Sequence, residues 1–237
     1  MVPSRMAGTS RMPRFVKHIG GKAVATDLAV TGLIIAGWTG RDTAGLQHHI
    51  DELAAIGVRP PSAVPLFYRV DRGLLTTDTA IDVVGDATSG EVETVIVASD
   101  GLWVGLGSDH TDRAAEAYSV ALSKQLCRKV MAPDLWPFAE VAPHWDRLIL
   151  RAHAVAGGQR RLYQEGLTSV IRDPRELMER YTGRGASLPD GSVMFCGTQP
   201  AIGGIAPAER FEMELADPVL GRSLRHGYDI RALPLVT

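Results

Sequence analysis

The run over residues 90–113, GEVETVIVASDGLWVGLGSDHTDR, decides how this chain folds. Residues 92–98 are mostly β-branched or apolar and predict a strand. Asp100-Gly101 is a hairpin-type turn, and residues 102–106 predict the returning strand. Side chains two apart on a strand share a face, so Glu91 and Glu93 stand side by side. Carboxylates held that close repel, and something positive has to offset them. A divalent, oxygen-seeking metal does so well; a solvated polar strand face is the plainer alternative. Asp109 follows Gly105-Leu106-Gly107 and brings a third carboxylate to the strand's end. It could instead cap the helix that follows, with Asp112 as the alternative ligand.

Outward from this hairpin the pattern stays rich in strands. Residues 28–38, 64–70, 81–84, 145–155, 159–164, 193–196, 211–215 and 228–233 all predict strands. Helices are fewer. Residues 45–57 carry Leu46, Ile50, Leu53 and Ala54 at helical spacing, with Gly57 as C-cap. Residues 112–126 place Ala115, Tyr118, Ala121 and Leu122 on one stripe. Residues 174–181 form a short helix opened by Asp173 as N-cap, with Glu176 three residues on. Many strands and few helices argue for one mainly β domain with some α, over residues 25–237. Residues 1–24, rich in Met, Ser, Gly and Pro, predict a flexible N-terminal arm.

Composition narrows the function classes. A chain of 237 residues with 45% hydrophobic content buries a substantial core. The net charge is −2 and the basic residues are dispersed, so neither nucleic acid nor an anionic membrane is an expected partner. The early basic residues Arg5, Arg11, Arg14, Lys17 and Lys22 lead into no apolar signal-peptide core, and no run reaches membrane-spanning length. Cys127 and Cys196 lack CxxC spacing and read as buried small hydrophobes in a reducing, cytoplasmic setting.

Several polar groups gather around the carboxylates. His49 and Glu52 lie three apart on the helix of residues 45–57, where Glu52 could orient His49 as a general base; His48 competes for the role. Lys124 and Lys129 flank Cys127, and either could stabilise an oxyanion. The segment Gly197-Thr198-Gln199-Pro200 offers backbone N–H groups and a hydroxyl to an anion.

In order along the chain, these pieces resemble the fumarylacetoacetate hydrolase superfamily. The resemblance runs through His49-Ile50-Asp51-Glu52, Pro65-Leu66-Phe67, Glu91-Val92-Glu93, Asp109-His110-Thr111-Asp112-Arg113 and Lys129. It continues through Gln164-Glu165-Gly166-Leu167-Thr168, Leu188-Pro189-Asp190-Gly191 and Gly197-Thr198-Gln199-Pro200. The segments GSDHTDR and HWDRL look like a bacterial branch of that superfamily characterised only as a domain of unknown function.

The resemblance implies a mixed β-roll of the fumarylacetoacetate hydrolase C-terminal domain type, in a homodimer. It implies Mg2+ or Mn2+ held by Glu91, Glu93 and Asp109, with Lys129 nearby and a His49–Glu52 dyad activating water. Arg69, standing where the family often has lysine, and Gln164 and Thr198 would bind substrate. The implied activity is that of a metal-dependent hydrolase or lyase on a small 2-oxo or 1,3-dicarbonyl acid. C–C hydrolysis of an acylpyruvate-type substrate, or decarboxylation, would pass through a metal-stabilised enolate. A non-catalytic ligand-binding protein on the same fold is the competing reading.

Overall fold

The computed structural model describes residues 13–45, 47, 51 and 60–236. The described residues open with β1 (Arg14–Ile19), β2 (Lys22–Asp27), β3 (Gly32–Gly37), β4 (Leu66–Val70) and the short β5 (Leu75–Thr76). There follow β6 (Ala80–Val84), β7 (Thr88–Ser89), β8 (Val92–Ala98), β9 (Leu102–Asp109) and β10 (Thr111–Asp112). Helices α1 (Arg113–Tyr118) and α2 (Val120–Leu126) lead to β11 (Lys129–Met131), β12 (Asp134–Pro137) and α3 (Phe138–Val141). The rest is β13 (Ile149–Ala156), β14 (Gln159–Leu167), α4 (Pro174–Thr182), β15 (Ser192–Phe195), β16 (Arg210–Asp217) and β17 (Arg222–Leu233).

These strands form a 10-stranded sheet with the path β2-β1-β12-β9-β8-β15-β3-β4, to which β11 and β5 attach, a 5-stranded sheet β14-β13-β16-β17-β6 and a small β7–β10 pair. Both are mixed: β1 runs parallel to β12, β15 to β3 and β17 to β6, and the remaining neighbours on the two paths are antiparallel. Strand β8 is buried at every residue because it has core on both faces. One face packs Val92 and Ile96 against Leu150, Phe211 and Tyr228 of the smaller sheet. The other face packs Val95 and Val97 with Phe15, Leu33, Trp103 and Phe195. Strands from both ends of the long path contribute to this second cluster, so the large sheet curls around it. The architecture is the expected mixed β-roll.

Three expectations need correction. Residues 14–27, partly assigned to a flexible arm, form the β1–β2 hairpin. Phe15 is fully buried in the second cluster, and β1 docks parallel to β12, which anchors the segment. The single helix over residues 112–126 is two helices, broken at Ser119 (φ −158°, ψ 115°), whose side chain caps α2. The apolar stripe does not face the core: Tyr118 and Leu122 are 85% and 50% exposed, while Ser123 and Lys124 are buried. Trp145 belongs to a turn of 3-10 helix and the strand begins only at Ile149, after Pro143 has set the turn. Among the described residues no helix is long and apolar enough to cross a membrane.

Candidate metal centre

Glu91 immediately precedes β8 and Glu93 lies within it, both on the face that carries Val95 and Val97. The β8–β9 register sets Glu93 opposite Gly107, and the Asp109 N–H donates to the Glu91 carbonyl at 3.0 Å. This brings Asp109, at the end of β9, beside the two glutamates. One oxygen from each of the three carboxylates lies within 4.8 Å of the other two. Asp112 is not a fourth member; its carboxylate caps α1 by accepting from the Ala115 N–H at 2.9 Å.

Three cations surround the cluster. The Lys124 ammonium bridges Glu91 (2.9 Å) and Asp109 (2.6 Å). Lys129, opposite Asp109 in the β11–β9 register, reaches the other Asp109 oxygen at 2.6 Å. Arg113 donates to Glu91, Glu116 and Ser89. Burial opposes ionisation of Glu91, yet the charges and hydrogen bonds of Lys124 and Arg113 bring its pKa down to about 2. Glu93 goes the other way: burial, then the charges of Asp109 and Glu91, hold its pKa well above the usual carboxylate range. Burial disfavours the Lys124 ammonium, but Asp109 and Glu91 outweigh it and keep the group charged.

Glu93 is placed by a loop as well as by its strand. Its carboxylate accepts from the Gly197 N–H at 2.7 Å. Gly197 adopts φ +104°, and an added Cβ would stand 1.8 Å from Thr39 Oγ1, so only glycine fits there. Behind the cluster, His110 is fully buried between Tyr228 Oη (3.0 Å) and Thr88 Oγ1 (2.9 Å). Burial first, then the charges of Lys129 and Arg113, lower its pKa to about 3. The native protein therefore binds fewer protons than the unfolded chain below pH 6.5. His110 costs stability as pH falls from 6.5 towards 3, by up to about 1.4 kcal/mol per pH unit. His110→Asn is expected to flatten this acid limb in urea melts recorded at stepwise lower pH. An unchanged slope would remove His110 from the account.

The expected site residues divide. Glu91, Glu93 and Asp109 come together as expected. Lys129, expected at the reacting centre, is completely enclosed, and its ammonium is held by Asp109 and by the His110 carbonyl at 2.7 Å. The lysine bridging two members of the cluster is Lys124. Gln164 and Thr198 are braces rather than free binding groups. The Gln164 carbonyl accepts from the Val92 N–H (3.0 Å), Thr198 donates to the Val92 carbonyl (2.7 Å), and the Gln164 amide donates to Thr198 (2.8 Å). They bond Val92 on the edge away from β9, where β15 does not reach, and lock the loop that holds Glu93. Arg69 is exposed and alternates with Tyr68, so it lies on the opposite strand face from the cluster. Residues 45, 47 and 51 of the expected helix are helical; His48, His49 and Glu52 lie outside the described residues. The sequence reading passed over Arg113 as a holder of Glu91, although it closes the Asp-x-Thr-x-Arg segment. Cys127 and Cys196 are buried, and burial pushes the Cys127 thiol up to about 11.

The fold recurs in solved structures. An inhibitor-bound structure of Cg1458 superposes with a TM-score of 0.63 at 15% identity, over 89% of this chain and 81% of that one. Yeast ynq8, a fumarylacetoacetate hydrolase family protein, gives 0.61 at 15% over 88% and 95%. A 2-keto-3-deoxy-D-arabinonate dehydratase complexed with magnesium and 2,5-dioxopentanoate gives 0.61 at 18% over 92% and 78%. Comparison with curated protein sequences finds no match. The architecture is thus that of the fumarylacetoacetate hydrolase family. The chain belongs to the family described as protein of unknown function DUF2848, whose pattern matches residues 36–228.

Proposed function

We propose that this protein is a divalent-metal-dependent hydrolase or lyase acting on a small 2-oxo or 1,3-dicarbonyl carboxylic acid, by C–C hydrolysis or decarboxylation. One observation carries the reading: Glu91, Glu93 and Asp109 each offer a carboxylate oxygen within 4.8 Å of the other two. Such oxygens fit a hard cation of the Mg2+ or Mn2+ kind. The magnesium and 2,5-dioxopentanoate bound by the structurally similar dehydratase support the same choice of cation and ligand.

Glu91, Glu93 and Asp109 would hold the cation, which supplies Lewis-acid polarisation of a substrate carbonyl. Lys124 stays protonated and therefore stabilises negative charge instead of accepting a proton. Arg113 fixes the orientation of Glu91, and Lys129 balances Asp109 from behind. Charge bookkeeping favours a monocarboxylate. With Glu93 neutral, Lys124, Lys129 and Arg113 balance Glu91, Asp109 and Glu116. A divalent cation that displaces the Glu93 proton leaves one net positive charge, which a single substrate carboxylate neutralises. The water-activating role falls to His49 and Glu52, and a homodimer, checked by light scattering, is part of the same reading.

The test is Mn2+ titration of the chelator-treated full chain by calorimetry, followed by turnover of 2-oxo and 1,3-dicarbonyl acids with Mg2+ or Mn2+. Glu91→Ala is expected to weaken Mn2+ by about a hundredfold or more. His49→Ala is expected to abolish turnover and leave Mn2+ binding intact. A wild-type protein that binds no divalent cation ends the proposal.

A further inference from the structure

One aromatic pair beside the cluster has no part in the scheme above. On the inner face of the large sheet, Tyr68 of β4 lies in one lateral row with Ile35, Phe195 and Val95. The next row holds Gly37, two residues past Ile35, Glu93, two before Val95 on the antiparallel β8, and Gly197, two past Phe195 where β15 has ended and its N–H meets Glu93. The Tyr68 ring leans into that row: a methyl at Gly37 would stand 2.9 Å from Tyr68 Cε2. Trp38 follows with φ 59°, a left-handed conformation that a bulky residue adopts only under strain. In that conformation its indole N–H donates to Tyr68 Oη at 3.2 Å. Across the opening, α2 is tied to the end of β4, because Gln125 accepts from the Asp71 N–H at 3.0 Å. Burial raises the Tyr68 pKa, and its phenol also responds to the charges of Lys124, Glu116 and Asp109. The phenol is a protonated donor that already accepts from Trp38, and among the described residues its own O–H has no acceptor.

We propose that Tyr68 is a specificity-determining residue of this site: its O–H donates to an acceptor oxygen that the ligand carries beyond the two oxygens facing the carboxylate cluster. The proposal rests on the metal-dependent reading above. The ligand class it selects is a 2-oxo acid with a further oxo group two or three carbons along, in preference to the plain alkyl 2-oxo acid. Trp38 and Gly37 act as positioning residues, one holding the ring's oxygen and the other leaving room for its edge.

The probes are 2-oxopentanoate, 2,4-dioxopentanoate and 2,5-dioxopentanoate, titrated into the Mn2+-loaded full chain. The wild type is expected to bind at least one dioxo acid about tenfold more tightly than 2-oxopentanoate, the worth of one good hydrogen bond. Tyr68→Phe is expected to erase that preference while leaving 2-oxopentanoate and Mn2+ affinity unchanged; the unchanged Mn2+ isotherm also reports a folded site. Gly37→Ala, which displaces the ring but keeps the hydroxyl, is expected to reduce the preference. A preference that survives in Tyr68→Phe, or an equal loss for all three acids, overturns the proposal, as does a wild type with no preference. Failure of the wild type to bind Mn2+ overturns instead the metal reading on which the proposal stands, so the two failures are told apart.

Discussion

Replacing Asp109 with asparagine is expected to destabilise the metal-free protein by about 3–5 kcal/mol, the usual cost of stranding a buried charge. Asp109 is completely buried and its two oxygens lie 2.6 Å from the ammonium groups of Lys124 and Lys129. The amide that replaces it carries no charge. Lys129 is then left fully enclosed with one backbone carbonyl as partner, and Lys124 retains only Glu91 and the Thr111 hydroxyl. Urea unfolding at neutral pH with chelator present measures the loss. The double variant Asp109→Asn, Lys129→Met should recover a large part of it, because the stranded cation is gone. A loss below about 1 kcal/mol would mean that water reaches these lysines and that the cluster is not the sealed, charge-balanced unit described here. Gln replacing Glu91, whose side chain is 15% exposed, should cost less than the change at Asp109.

How far the sequence reveals this molecule depends on what each residue faces. The strand over residues 92–98 is legible because it is buried on both sides and therefore reads as a continuous apolar run, interrupted only where Glu93 and Thr94 enter. The carboxylate cluster is legible because its geometry is local: a two-residue spacing on one strand and a hairpin partner. The β1 strand is harder to see. RFVKHI mixes basic and apolar residues, and what fixes it is a distant partner, β12, more than a hundred residues away. The α1–α2 segment misleads for a different reason. Helical periodicity predicts that the apolar stripe faces inward, but the pull of the Glu91 and Asp109 carboxylates on Lys124 turns the opposite side of α2 to the core. Gln164 and Thr198 show a third limit. Their polarity marks them as important, yet only the fold shows that they complete the hydrogen bonding of Val92. Arg69 and Tyr68 differ by one step of strand alternation, and a motif match names the position without saying which face it takes.

Glu93 should behave unlike its neighbours. Burial, then the charges of Asp109 and Glu91, raise its pKa and favour the protonated carboxyl. Glu93→Gln is therefore expected to match the metal-free wild type near pH 4, where an amide resembles the protonated acid, and to be the more stable of the two near neutral pH, where only the unfolded wild type has released the Glu93 proton. The raised carboxyl contributes stability that is fully present below its unfolded pKa of 4.5 and lost as pH rises through the higher folded value. The glutamine variant should lack this decline. Metal binding reverses the preference, since a cation needs the ionised ligand and must displace the proton. Mn2+ affinity of the wild type should thus rise with pH, by up to about tenfold per unit, until Glu93 ionises unaided. Calorimetry in buffers of different ionisation enthalpy should detect about one proton released per Mn2+ bound. Glu93→Gln should weaken Mn2+ by about a hundredfold and abolish both the release and the pH slope. Mn2+ binding that is independent of pH in the wild type would show that Glu93 is ionised before the cation arrives, and would break the link drawn here between its burial, its neighbours and its role as a ligand.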